Sequence, residues 1–236
     1  MLMHSPGVPY SPGAPRCPAV TIVPAVPELV LYDNPRSSNA LKVRVLLAEL
    51  GLAHERRTIA LSRPRPADYL ALNPVGGIPT LRDGDEVVVT ESHAILRYLA
   101  RREGRDDLYP ADPPAAARVD EFLDRFATGI RAAFFRHEVP ALGYSRDVGG
   151  WGAVPPDPEA ARHVEGEIQP ALRLLDRLVS PTAAVLGRYT IADAALVPVL
   201  HRTTFTGLDL TPHPNVLALR EHLIARPAFA AADPVG

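Results

Sequence analysis

Hydrophobic positions along the chain change their pattern after residue 105, which predicts two kinds of structure. Before that point, strand-like apolar runs such as ELVLYD and EVVV alternate with segments of helical spacing such as SSNALKVRVLLAELG. The predicted order is β-α-β-α-β-β-α, with Pro66 opening the second helix and Asp83-Gly84 turning the last hairpin. We expect the first two strands to be parallel and the hairpin antiparallel, in a small mixed sheet with helices on both faces.

The rest of the chain has the pattern of helices throughout. Apolar residues recur at helical spacing from Val119 to Phe126, and further helices are predicted over 159–179, from Thr190, and from His213. Pro170 lies inside the second of these helices and predicts a kink or a break there. The sequence TIADAAL predicts a capping box, in which the side chains of Thr190 and Asp193 satisfy backbone amides at the helix start.

These patterns divide the chain into four predicted parts. Residues 1–27 are dense in proline and are predicted to be a disordered extension. An α/β domain over 28–105, a polar linker over 106–114 and an all-helical domain over 115–236 follow. The fold class predicted from this division is α/β plus all-α.

Composition narrows the possible functions. The net charge of −2 does not favour a polyanion, so we expect no nucleic-acid partner. No apolar run is long enough to span a bilayer and no signal peptide is evident, so we expect a cytoplasmic protein with no membrane partner. The only cysteine, Cys17, lies in the extension, and the 8 histidines are scattered without ligand spacing, so no metal site is expected.

Several motifs together resemble those of cytosolic glutathione transferases. They are RSSNALKVRVLLAELGL, NPVGGIPTL, ESHAILRYL, and YTIADAAL with RPAF, and the resemblance extends from about Leu29 to about Phe229. It implies a thioredoxin-like N-terminal domain followed by a helical bundle domain. It also implies a homodimer that conjugates the thiolate of glutathione to a small hydrophobic electrophile.

The resemblance implies where glutathione would bind. It implies a cis Ile78-Pro79 bond, which would turn the N–H and C=O groups of Ile78 outward to pair with the extended tripeptide. Glu91 and Ser92 stand at a helix start, where acids and hydroxyls also serve simply as caps. A helix start binds anions as well, so Ser92 is expected to hold the γ-glutamyl carboxylate and Glu91 its ammonium.

The thiol of glutathione needs activation, because a free thiol with a pKa of about 8.5 is mostly protonated at neutral pH. RSSNALKVR lies between the first strand and the first helix and resembles the RSSC…RVR motif of zeta-class enzymes, with Asn39 in place of the cysteine. The resemblance favours Ser37 as the hydroxyl donor. Ser38 and Asn39 stay open, because one of the three must cap the helix.

Two other functions fit the same motifs. A glutathione-dependent cis-trans isomerase would need a basic pocket for a dicarboxylate, to which Arg36 could contribute. A non-catalytic binding protein could share the fold. The second substrate is expected between the domains, lined by two or three of a set of aromatic residues, namely Phe134, Phe135, Tyr144, Trp151, His201 and Phe205.

Overall fold

The computed structural model describes residues 28–145, 149–179 and 184–234, so the predicted extension and Cys17 lie outside the described residues. The first half of the described chain has the predicted element order. Its strands are β1 (Leu29–Asp33), β2 (His54–Thr58), β3 (Thr80–Asp83) and β4 (Val87–Thr90), and its helices are α1 (Ser38–Leu50), α2 (Ala67–Leu72) and α3 (Ser92–Arg102).

The four strands form one mixed sheet in the order β2-β1-β3-β4. Strand β1 is parallel to β2 and antiparallel to β3, and β3 is antiparallel to β4, which confirms the predicted topology. The side chains of successive residues in β1 lie on opposite faces of the sheet, because side chains along a strand alternate in direction. Leu29 and Leu31 join the main core beneath α1 and α3, whereas Val30 and Tyr32 pack with Tyr69 of α2.

The second half of the described chain is helical. Its elements are α4 (Pro113–Arg125), a π-helical turn (Phe126–Ile130), α5 (Arg131–Ala141), α6 (Pro158–Leu178), α7 (Ile191–Arg202), α8 (Pro214–Ile224) and α9 (Pro227–Ala231). The helical pattern predicted this region but not the π turn, in which the amide of Arg131 donates to the carbonyl of Phe126. Of the kink or break predicted at Pro170, the break does not occur, because α6 runs through this residue without interruption.

The capping box of α7 is present as predicted. The amide of Thr190 donates to Asp193 Oδ2 at 2.8 Å, and Thr190 Oγ1 accepts from the amide of Ala192 at 3.2 Å. Asp193 Oδ1 also accepts from the amide of Val185 at 2.8 Å. Asp193 is completely buried, so its carboxylate joins the start of α7 to the preceding loop in the protein core.

Helix α7 connects the two halves of the described structure, because it packs on both α1 and α3. One continuous hydrophobic core therefore includes residues of the sheet, of α1 and α3, and of the C-terminal helices. No helix among the described residues is long and apolar enough to cross a membrane.

Candidate functional site

The strand pairing brings three of the predicted site segments to one end of the sheet. Because β1 and β3 are antiparallel, with Tyr32 paired to Thr80, the end of β1 lies beside the start of β3. Thr80 also pairs with Thr90, so the end of β4 lies at the same edge. The β1–α1 junction, the Ile78-Pro79 bond and the start of α3 are thus neighbours in space, although they are far apart in sequence.

The segment before β3 is held by buried polar side chains. Asn73 Nδ2 donates to the carbonyl of Gly77 and to Thr80 Oγ1, both at 3.0 Å, and the Tyr69 hydroxyl contacts the same two groups. The Ile78-Pro79 bond is cis. Among the described residues, no backbone hydrogen bond involves the amide or the carbonyl of Ile78. Its backbone polar groups are therefore available to pair with an extended ligand.

Glu91 and Ser92 occupy the start of α3 in different ways. Glu91 is exposed and sits at the N-cap with φ 66° and ψ 119°, a backbone conformation that non-glycine residues rarely adopt. Its side chain makes no capping bond, so helix capping does not account for the carboxylate. Ser92 is buried and begins the helix. Non-glycine residues in such conformations cluster at functional sites, where surrounding structure holds them in place.

Ser37 is the cap of α1. Its backbone is extended, and its Oγ accepts a hydrogen bond from the amide of Ala40 at 3.2 Å. A hydroxyl that accepts one hydrogen bond can still donate its proton, so capping and thiol activation are compatible in Ser37. Asn39 is exposed in the first turn of α1 and is not needed as a cap.

Ser38 lies one residue further along and contacts the helical domain. Arg131 Nη2, at the start of α5, donates to Ser38 Oγ at 3.3 Å. The same guanidinium is paired with buried Glu138 at 3.2 Å, and Arg202 of α7 donates to Glu138 at 2.7 Å. Arg202 also donates to the carbonyl of Arg36 at 2.6 Å. We call Arg36, Ser37 and Ser38 the RSS motif. A buried polar network therefore joins both ends of this motif to helices of the second half.

Lys42 brings a buried ammonium behind the start of α3. Its side chain is 2% exposed, and Nζ lies 3.5 Å from Ser92 Oγ and 3.1 Å from His93 Nε2. Burial, together with the nearby charge of Arg131, lowers the pKa of Lys42 to about 7, although Glu91 and Glu138 act in the opposite direction. Burial, with the charge of Lys42, lowers the pKa of His93 to about 3, so His93 is neutral at physiological pH.

Comparison with known proteins identifies related sequences. The family model described as "Glutathione S-transferase, N-terminal domain" matches residues 36–102, and "Glutathione S-transferase, C-terminal domain" matches 158–222. Glutathione S-transferase 3 of Zea mays is 32% identical, over 85% of this chain and 91% of the maize protein. A probable maleylacetoacetate isomerase of Caenorhabditis elegans is also 32% identical, over 87% of this chain and 92% of the nematode protein.

The chain belongs to the glutathione S-transferase family. Its fold is also that of solved family members. A glutathione transferase family member from Pseudomonas fluorescens, solved with two glutathione molecules bound, superposes with a TM-score of 0.70 and 24% sequence identity. That superposition covers 88% of this chain and 93% of the bacterial one. The predicted family, and the thioredoxin-like domain followed by a helical bundle, are therefore confirmed.

The transferase fold separates the predicted aromatic residues into three groups. Phe135, Tyr144 and Trp151 contact one another, with ring centroids 4.5–5.6 Å apart. Phe134 is buried in the core. His201 stacks edge-on against Phe205 and Phe229, and its pKa is lowered by burial.

Arg36 ties the first of these groups to the β1–α1 junction. Its Nη1 donates to the carbonyl of Trp151, and the Arg202 guanidinium lies 4.2 Å from the centroid of the Trp151 ring. Trp151 therefore lies near the RSS motif, on the side that faces the helical domain. Trp151 is the member of its aromatic group that contacts this junction directly, and His201 lines a small pocket together with Ser37 and Ser38.

The motif analysis did not identify Lys42, Arg131, Glu138 or Arg202 as site residues. Arg131 interrupts the stretch ATGIRAAFF, which is otherwise apolar or small, and Lys42 lies between Leu41 and Val43; these apolar neighbours are the sequence signal that could have indicated the two residues. The partners of Arg131 could not be inferred, because Ser38 is 93 residues away in sequence. Within the described residues, no group of three or more His, Cys, Asp or Glu side chains could hold a metal ion.

Proposed function

We propose that this glutathione S-transferase family member binds glutathione at the end of the sheet and transfers its thiolate to a hydrophobic electrophile. One observation carries the proposal: the RSS motif, the open backbone of Ile78 and the Glu91-Ser92 pair converge at that single edge. Each group has a chemistry that suits a different part of a thiol tripeptide.

The tripeptide backbone would lie along Ile78. An extended peptide gains affinity from main-chain hydrogen bonds when it adds to an open backbone edge. Its γ-glutamyl end would reach the start of α3, where the hydroxyl and amide of Ser92 suit a carboxylate. The exposed Glu91 carboxylate suits the ammonium. Buried Lys42, behind Ser92, adds positive charge on the side where the carboxylate would bind.

The thiol would then lie at the start of α1. The hydroxyls of Ser37 and Ser38 can donate to a thiolate there, and the N-terminus of α1 favours negative charge. Lowering the thiol pKa from about 8.5 by two units needs roughly 2.7 kcal/mol of preferential stabilisation of the anion. A hydroxyl donor with a helix terminus supplies an interaction of this size.

The electrophile would approach from the helical domain. Phe135, Tyr144 and Trp151 supply an aromatic surface close to Arg36, which suits a small hydrophobic or aromatic molecule. The thiol proton first leaves to solvent, and the thiolate then forms the C–S bond by attack on an electrophilic carbon. The bond that breaks at this carbon takes its electron pair to the leaving group, or, in an addition, to the neighbouring atom of the double bond, which then takes a proton from solvent. No protein nucleophile is required in this reaction.

Calorimetric titration and a turnover assay test the proposal together. Glutathione and other cellular thiols are titrated into the full chain, and conjugation to a generic aromatic electrophile is followed with the thiol that binds. We expect glutathione binding and thiol-dependent conjugation. Binding without conjugation of any electrophile would favour a non-catalytic binding protein, and absence of binding would overturn the proposal.

A second candidate is glutathione-dependent cis-trans isomerisation of an unsaturated acid. The 32% identity to the probable maleylacetoacetate isomerase and the basic side chains of Arg36, Lys42 and Arg131 favour this activity. In it, the thiolate adds reversibly to a carbon–carbon double bond, rotation follows, and the thiolate leaves again. The assay measures conversion of maleylacetoacetate with and without glutathione, and turnover without formation of a conjugate would favour the isomerase.

We also propose that the protein is a homodimer that works in the cytoplasm. Val75, which is 74% exposed, and Val88 on edge strand β4, which is 40% exposed, are apolar residues that an interface would bury. Sedimentation velocity of the wild type and of Val75→Asp tests the dimer, with a shift toward monomer expected in the variant. Fractionation of the native cells tests the location, since the cytoplasm maintains reduced thiols.

A further inference from the structure

The described helical half contains a buried charged cluster that reaches the RSS motif. It consists of Arg131, Glu138 and Arg202, which we call the Glu138 cluster. The side chains of Arg131, Glu138 and Arg202 are 15%, 2% and 9% exposed. Two guanidinium groups share one carboxylate, so the cluster carries a net positive charge in a region that excludes water.

Arg131 is the member that contacts a serine of the site, whereas Arg202 reaches only the backbone carbonyl of Arg36. Its Nη2 donates to Ser38 Oγ at 3.3 Å and is ion-paired with Glu138 Oε2 at 3.2 Å. Buried Nη1 has no hydrogen-bond partner among the described residues. The amide of Arg131 donates to the carbonyl of Phe126, five residues back, rather than to the carbonyl four residues back as in an α-helix. Arg131 therefore marks the end of the π turn. π turns occur frequently at functional sites.

The Arg131–Ser38 hydrogen bond restricts where the hydroxyl hydrogen of Ser38 can point. A guanidinium can only donate, so Ser38 Oγ is the acceptor in this contact and its own hydrogen must point elsewhere. The positive charge beside the oxygen also makes the hydroxyl a stronger donor. Ser38 is thereby prepared to donate to an anion at the β1–α1 junction.

We propose that Arg131 is a positioning residue for thiol activation: it orients the hydroxyl of Ser38 toward the bound thiolate, and the Glu138 cluster holds Arg131 in place. The inference rests on the proposed function, because it concerns the thiol bound there. It assigns control of the thiolate to a side chain of the helical half. Other charged groups near this position are Lys42 on α1 and Glu91 before α3, which act on any anion there with opposite signs.

The test measures the pKa of bound glutathione by ultraviolet titration of the thiolate, together with the pH profile of kcat/KM. Arg131→Met should raise the bound thiol pKa by about one unit, which is a tenfold loss of thiolate well below that pKa. Glutathione affinity should change less than turnover. In a Ser38→Ala background the same change should have a much smaller effect, because its route through the hydroxyl is gone.

Two matched variants separate electrostatics from structural damage. Arg202→Met also removes a partner of Glu138 but does not contact Ser38, so it should lower stability with a smaller shift in thiol pKa. Arg136→Met removes an exposed arginine of the same helix α5, paired with Glu167 at 3.1 Å, and should change neither quantity.

Glu138→Gln keeps the inference testable even if Arg131→Met does not fold. The neutral isostere keeps an amide oxygen that accepts from Arg131 and Arg202, so the arginines stay in place, while the cluster becomes more positive. It should therefore lower the bound thiol pKa, opposite in sign to the arginine variant. Any of four results would overturn the inference. Arg131→Met could leave the bound thiol pKa unchanged, shift it no more than Arg202→Met does, or shift it equally in the Ser38→Ala background. The fourth result is a raised bound thiol pKa in Glu138→Gln. Failure of the wild type to bind any thiol would instead overturn the proposed function beneath it.

Discussion

Ser37 Oγ accepts the amide hydrogen of Ala40 at 3.2 Å, so the hydroxyl that resembles the family's thiol activator is also the cap of helix α1. One side chain therefore serves both the folding of the helix and, in the proposed mechanism, the stabilisation of the thiolate. The two roles use different parts of the hydroxyl, since the cap uses a lone pair and the thiolate would use the proton. Substitutions can separate them.

Ser37→Ala should lose both roles, whereas Ser37→Asn should keep only the cap. We expect alanine to lower the free energy of unfolding by about 1 kcal/mol, and asparagine to restore most of it because it is a good N-cap. The alanine variant should have a raised pKa for bound glutathione, measured by ultraviolet titration. Normal thiolate formation in Ser37→Ala would show that Ser38 alone provides the hydroxyl.

Glu91→Gly should stabilise the fold while it weakens glutathione binding. The positive φ of Glu91 is readily adopted by glycine, so the substitution should relieve roughly 1 kcal/mol of backbone strain. Loss of a charge-assisted contact to the ammonium should weaken binding by about 1.5–3 kcal/mol. Chemical denaturation and calorimetry measure the two effects, and Glu91→Gln, which keeps the side-chain shape, is the matched control for charge.

If Glu91→Gly binds glutathione as tightly as the wild type, the carboxylate does not contact the ligand. If Glu91→Gly weakens binding and Glu91→Gln does not, the backbone conformation rather than the charge is what the ligand requires. Equal stability of the glycine and glutamine variants would contradict the assignment of strain to this residue.

Lys42→Met should stabilise the protein at neutral pH and progressively less as the solution becomes alkaline. Burial lowers the pKa of Lys42 from 10.5 to about 7, so between these values the unfolded chain binds a proton that the folded chain does not. Wild-type stability therefore rises with pH across that window, and the penalty of a buried charge is complete below it. The difference in free energy of unfolding between Lys42→Met and the wild type should be roughly 2–4 kcal/mol larger at pH 7 than near pH 10.5.

Urea denaturation of the wild type and of Lys42→Met across this pH range checks the prediction. Arg136→Met provides a control in which an exposed cation is lost. A stability difference that does not change with pH would show that Lys42 titrates normally in the folded protein.

Asp193→Ala should destabilise the fold far more than Thr190→Val. The Asp193 carboxylate accepts from the amides of Val185 and Thr190, both at 2.8 Å, and these buried donors would be left without a partner. We expect a loss of about 3 kcal/mol or more for alanine, compared with about 1 kcal/mol for removal of the threonine cap. Thermal denaturation measures both, and similar effects would contradict this account of Asp193.

The sequence predicted the local structure well because its signals are local. The hairpin and the Thr190–Asp193 capping box each depend on residues a few positions apart, and the structure contains both. The turn lies one residue later than predicted, because Asp83 still belongs to β3 and pairs with Val87. The break expected at Pro170 did not occur. A proline removes one helical hydrogen bond, but α6 continues past Pro170 and buries Ile168, Leu172 and Leu175 on either side of it.

The chemistry around the site was only partly predictable. Motif resemblance led to Ser37, Ile78, Glu91 and Ser92, because each lies at an element boundary that a motif marks. The Glu138 cluster depends instead on contacts such as that between Ser38 and Arg131, which only the three-dimensional fold brings together. The burial of Lys42 was equally hidden, since a lysine within a helix is usually a surface residue.

Lys42 is the only lysine in the sequence, and this gives the chain an intrinsic reporter. Reductive methylation with isotope-labelled formaldehyde would place a nuclear magnetic resonance probe at this side chain and at the terminal amine only. The methyl signal would follow the charge of the ammonium directly as a ligand occupies the neighbouring Ser92. Titrating one native amine could thus reveal how ligands alter the electrostatics of the interior, without an engineered label or a crystal.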